Sequence, residues 1–155
     1  MALTYQPARL FTIEEANNML PLVRAITADV VKLSKELLER KHRLATLAMG
    51  RSKRGSDLYS DEVAQIEQEM EKDSEKLNEF LIELVELGVE PKGGPEGLVD
   101  FPAMHEGRLV FLCWKIDEPE VLHWHDIDAG FAGRQPLTAD SCAGHAHEID
   151  EEQFE

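Results

Sequence analysis

Cysteine is nearly absent from this sequence, with two residues in 155, and aromatic side chains make up only 6% of it. Cys113 falls in an apolar run and Cys142 in a polar one, which argues against a disulfide framework and makes Cys113 a small buried hydrophobe. Long hydrophobic runs are lacking too, since none approaches the roughly 20 residues that a membrane span needs. Met1–Leu10 has neither the charged start nor the apolar centre of a signal peptide, so a cytoplasmic protein without membrane contact is expected. A nucleophile elbow, a phosphate loop, an HExxH helix and paired CxxC motifs are also missing, and the common catalytic signatures are left without support.

Positive charge is in short supply: 16 Lys/Arg stand against 31 Asp/Glu, a formal net charge of −15 at pH 7. The first 60 residues hold 10 of the Lys/Arg and 6 of the Asp/Glu, leaving 6 and 25 for residues 61–155. The two halves attract each other, whereas a polyanion would be repelled by most of the surface, which argues against nucleic acid as a partner. The one basic knob, GRSKRG at 50–55, has no aromatic side chain interleaved to stack on bases.

What is present is a pair of amphipathic periods. Thr12 and Glu15 form a capping box behind Phe11, so a helix starts there, and Pro21 predicts a kink or a break into a short and a long helix. Beyond Pro21 the apolar positions repeat by sevens, as Val23, Val30, Leu37 and Leu44 in one series and Ile26, Leu33 and Leu47 in the other, a coiled-coil seam. The pattern resumes after Ser60, with Val63, Met70, Leu77 and Leu84 beside Ile66, Phe80 and Leu87, and Gly88 is its stop. In an antiparallel hairpin facing residues have a constant sum: Leu47 with Ile66, Leu33 with Phe80 and Ile26 with Leu87 share it. Arg40 and Asp73, the one polar exception in each helix, share it as well. They read either as an ionic contact that fixes register or as two side chains snorkelling at the hairpin edge.

After Gly88 the period changes to that of strands. Loop residues at 91–97 precede an extended Leu98–Met104; Glu106–Gly107 has the character of a two-residue turn; RLVFLCWKI follows as a central strand, and Val121–His125 returns after Glu118–Pro119. The expectation is a three-stranded antiparallel meander with Leu98–Met104 at an edge, where Pro102 is tolerated. Pairing sums of 213 across the first turn and 237 across the second place His123 and His125 with Val99, Phe101 and Trp114 on the face toward the helices. Trp124 and Asp126 then share the other face with Asp100 and Cys113.

The stretch LHWHDIDAGFAGR, residues 122–134, looks most like a site. His123 and His125 point the same way along a strand and could ligate a metal, with Asp128 the nearest carboxylate beyond the strand end; equally, both could be satisfied core residues. Arg134, after Gly130 and Gly133, could bind an anion through its planar fork or pair with Asp126 or Asp128. Residues 138–155, with Cys142, His145, His147 and a run of acids, have no apolar period and read as a disordered acidic tail or a weak metal scavenger.

The segments FTIEEANNMLPLVR, GLVDFPA, GRLVFLCWKIDEPEV and WHDIDAGFAGRQPL resemble the uncharacterised bacterial family known as domain of unknown function 2203, over most of residues 11–137. The resemblance implies a helical hairpin joined to a sheet motif and no established reaction; its residues in the last segment are Trp124, His125, Asp128, Gly130, Phe131, Gly133 and Arg134. The sequence therefore predicts an α+β fold in one domain over 1–137, with the hairpin at 11–88 and the meander and motif loop at 89–137. The first functional reading is a ligand- or metal-binding accessory protein, its site at Trp124, His125, Asp128 and Arg134, its metal zinc, manganese or iron held by His125, Asp128 and His123. The second is an interaction or scaffold module, homodimeric or bound to another protein through the hairpin. A metal-dependent hydrolase is the third.

Overall fold

The computed structural model describes residues 5–49 and 56–137, with side chains from residue 60 onward in the second segment. The basic knob and the acidic tail lie outside the described residues. Helix α1 runs Ile13–Met49 and α2 runs Ser56–Glu86, followed by strands β1 (Glu90–Gly93), β2 (Leu98–His105), β3 (Arg108–Lys115), β4 (His123–Asp126) and β5 (Gln135–Pro136). The architecture is α+β: a helical hairpin packed on an antiparallel sheet of order β1-β2-β3-β4-β5. None of the described helices is long and apolar enough to cross a membrane.

The capping box closes as its residues require. The Glu15 amide donates to Thr12 Oγ1 at 3.0 Å and the Thr12 amide to Glu15 Oε1 at 2.9 Å, while Phe11 is buried edge-on against Phe101. Of the kink or break expected at Pro21, the break does not occur: α1 continues through the proline. Pro21 is exposed between the buried Leu20 and Val23, so its ring meets solvent and the packing of its neighbours holds the helix together against a cost of about 3 kcal/mol. Every seam position named above is buried or half-buried, and the Arg40 guanidinium does bond the Asp73 carboxylate across the hairpin, with Glu69 at 3.5 Å.

The sheet has five strands rather than three, since 90–93 and 135–136 add an edge on each side. β2 is thus internal and Pro102 is not on an edge strand, but β1 ends at the Glu90–Asp100 pair and leaves the Pro102 stretch uncovered. There the Pro102 carbonyl accepts from the Phe11 amide at 2.8 Å, so the side of β2 on which proline lacks a donor faces no strand. The first turn is as expected, with Glu106 and Gly107 both at positive φ, 51° and 74°, and pairing from Leu98–Lys115 to His105–Arg108.

The second register is one residue off the expected one. Phe111 pairs with His125 and Cys113 with His123, so β4 presents its opposite set of side chains to each face. Trp124 goes to the helix side, 4.8 Å from the His105 ring, and both histidines go to the outer face. The cause lies in the connection. Glu118 folds back, its Oε1 taking the Lys115 amide at 2.9 Å and its carbonyl taking Trp114 Nε1 at 3.0 Å, and the Val121 amide turns away to Asn17 Oδ1 at 2.7 Å. A loop closed by side chains does not impose the register that a two-residue turn would.

Candidate functional site

β-strand alternation puts Asp100, Cys113 and His123 on one rung of the outer face, and Pro102, Phe111 and His125 on the next. Asp100, Cys113 and His125 are 2%, 1% and 2% exposed. Among the described residues they form the one group of three whose donor atoms, a carboxylate oxygen, a thiol sulfur and a ring nitrogen, lie within 4.8 Å of one another.

The tautomer of His125 follows from its partners. Nδ1 lies 2.7 Å from the Asp126 carbonyl, which only accepts, so Nδ1 carries a proton and donates it there. Nε2 faces both Asp100 oxygens at 3.2 and 3.1 Å. A neutral ring with its proton on Nδ1 offers a bare lone pair at Nε2, and that lone pair points at a carboxylate. Either one proton is held between them or a cation takes its place.

The surroundings make free anions expensive here. Burial pushes the Asp100 carboxyl up against the opposing pull of His125 and Lys92. Burial and the Asp100 charge together push the Cys113 thiol up to about 12, against the pull of Arg134. A thiol so protonated is no nucleophile. Nor does the geometry resemble an activating triad, since both ring nitrogens of His125 are engaged by Asp126 and Asp100.

A cavity of about 100 Å³ opens beside the cluster, walled by Leu98, Phe111, Ile127, Gly130, Phe131 and Lys92. Lys92 sits where β1 and β2 lose step: Pro91 pairs with Val99 but Gly93 with Leu98, so Lys92 is an extra residue in the strand. Such a bulge re-aims its side chain. The Lys92 ammonium lies 4.8 Å from the Phe111 ring centre, tied to Glu90 Oε1 at 3.0 Å, while Tyr5 bonds the other Glu90 oxygen.

The structure scatters the residues expected from the sequence. His125 is at the centre of the cluster, whereas Asp128 is exposed in the following turn, outside it, and Trp124 packs on the other side of the sheet. His123 Nδ1 is buried without a hydrogen-bond partner, with Glu118 Oε2 3.5 Å away. Arg134 pairs with Glu118 rather than with Asp126 or Asp128, and its Nη1 reaches Cys113 Sγ at 3.9 Å; Asp126 instead takes Arg108 at 2.9 Å. Asp100 and Cys113 were not among the expected ligands. The signal for them was an acid in the middle of the apolar strand LVDFPA, paired with a cysteine under the sum of 213.

The model of the uncharacterized conserved protein family DUF2203 matches residues 9–137. The chain belongs to this family. Its matched region spans α1 through β5 and includes every residue of the cluster. No curated protein and no solved structure matches the chain.

Proposed function

We propose that this protein binds a divalent transition metal through Asp100, Cys113 and His125. The observation that supports this reading most is the convergence of a carboxylate, a thiol and the lone pair of an imidazole whose other nitrogen is pinned to a backbone carbonyl. Metal-ligating histidines are oriented in this way, by a hydrogen bond from the ring nitrogen that does not ligate. Small side-chain movements bring the three atoms to the roughly 2.0–2.3 Å that zinc requires.

Charge selects the ion. A carboxylate and a thiolate balance a cation of charge two in a buried site, where a surplus of either sign is costly. Thiolate and imidazole favour zinc or iron(II) over magnesium or calcium, and weigh against manganese. Bound metal would also remove the proton from Cys113, as coordination does for thiols. Arg134 then neutralises part of the thiolate charge, and Glu118 holds Arg134 in place.

Zinc titration of untagged full-length protein, followed by elemental analysis, tests this reading. One zinc per chain is expected, lost in Asp100→Ala and in His125→Ala while circular dichroism shows the fold intact. The triple change Cys142→Ser, His145→Ala, His147→Ala must leave that zinc bound; if it removes the zinc, the tail and not the sheet is the site.

A role in protein association is the second reading, favoured by the exposed Ile82 and Val85, one turn apart on α2. A concentration-dependent dimer in sedimentation would support it, with loss of the dimer in Val85→Glu.

A further inference from the structure

Three protein donors leave a metal with at least one open position, and here that position has a particular neighbour. The cavity beside the cluster is walled by Leu98, Phe111, Ile127 and Phe131 on its apolar sides, and the one cation among its lining residues is Lys92. We infer that the cavity takes a short-chain carboxylate, its carboxylate bridging the metal and the Lys92 ammonium and its alkyl part lying against Leu98, Phe111 and Phe131. This rests on the metal reading above.

The ligand class follows by elimination. A cation is repelled by both the metal and Lys92. A phosphate would present four oxygens to walls that are mostly hydrocarbon, and its desolvation would go uncompensated. A neutral apolar molecule would make no use of Lys92, which a strand bulge places in the cavity wall and whose ammonium Glu90 holds. A carboxylate gives the metal an oxygen donor and Lys92 a charge-assisted hydrogen bond. The volume of about 100 Å³ limits the chain attached to it to a few carbons.

Cobalt(II) is the probe, because its visible spectrum reports the donor set. Metal-free full-length protein is titrated with cobalt(II) in a carboxylate-free buffer, with Cys113→Ser as the control for the thiolate-to-cobalt band. Acetate, propionate, hexanoate and phosphate are then added separately. Acetate and propionate are expected to shift the ligand-field bands saturably, while hexanoate and phosphate leave them unchanged at the same concentrations. Lys92→Met should weaken acetate binding by about tenfold, the equivalent of one modest interaction, while the thiolate-to-cobalt band still forms on titration. A thiolate band with no response to acetate or propionate overturns the carboxylate proposal alone. So does an equal acetate affinity in Lys92→Met, or a phosphate response as strong as that of acetate. Absence of the thiolate band overturns the metal reading and this one together.

Discussion

The two faces of the sheet differ in burial and in chemistry: the helix side is buried at Val99, Phe101, Ala103, Val110, Leu112 and Trp114, while the outer face is buried at Asp100, Phe111, Cys113 and His125 and half-buried at Leu98, Met104, Leu109 and His123. Toward the helices lie Val99, Phe101, Val110, Leu112, Trp114 and Trp124, meeting Leu20, Val23 and Leu84 in an apolar core. On the outer face the inaccessible side chains include an acid, a thiol and an imidazole, beneath Tyr5, Lys92 and the turn that follows β4. Burying apolar groups needs no explanation beyond the water they release. Burying three ionisable ones does, since each loses hydration that the protein must replace. The helix-side face holds the molecule together, and the outer face carries ionisable groups whose burial costs part of that stability.

The comparison can be broken most forcefully at its apolar side. Phe101→Ala should destabilise by about 3–5 kcal/mol in urea unfolding, to a similar extent with and without zinc, because it opens a cavity in the core on the face opposite the proposed ligands. On the outer face the dependence on metal should reverse. Zinc at a thousandfold excess over its dissociation constant should stabilise the wild type by about 4 kcal/mol and His125→Ala hardly at all. Without zinc, His125→Ala should still lose about 1–3 kcal/mol, since Asp100 is left buried without its partner.

Proton linkage sharpens the contrast further. Asp100 holds its proton more tightly folded than unfolded, so its contribution is complete at low pH and is lost as pH rises from 3.8 through its raised value. Stability of the metal-free protein should therefore decline over that window, and Asp100→Asn should flatten the decline. Zinc binding runs the other way, strengthening as the ligands lose their protons. Urea midpoints measured across pH on both forms give the two slopes, and parallel slopes would contradict the distinction. The smallest effect belongs to the hairpin, away from both faces. A double-mutant cycle on Arg40→Ala and Asp73→Ala should give a coupling of about 0.5–1 kcal/mol, for the pair is 28% and 21% exposed.

The parts of this fold that were legible are those fixed by a repeating constraint. The seven-residue period and the constant sum placed Arg40 on Asp73, and the positive-φ pair Glu106–Gly107 set the first strand register. The second register depended on where Glu118 and Asn17 send their side chains, and no local pattern encodes that. One residue of error moved His125 to the wrong face and separated it from Asp100 and Cys113, which the first register had already put together. The edge strands were missed because β1 carries Pro91 and a bulge and β5 is two residues long, too short to show alternation. His125 stood out by its residue type; its partners lay in strands whose apolar neighbours concealed them.

β4 carries Trp124 into the helix-side core and His125, the next residue, into the opposite compartment. The strand therefore joins the two sides of the sheet through adjacent residues, the imidazole on one and the indole on the other. The indole ring is a fluorophore tilted at 44° against the His105 ring, so its emission should register ligand arrival on the opposite face of the sheet. With Trp114 as the other tryptophan, buried in the same core, a Trp114→Phe protein would carry that signal from a single emitter.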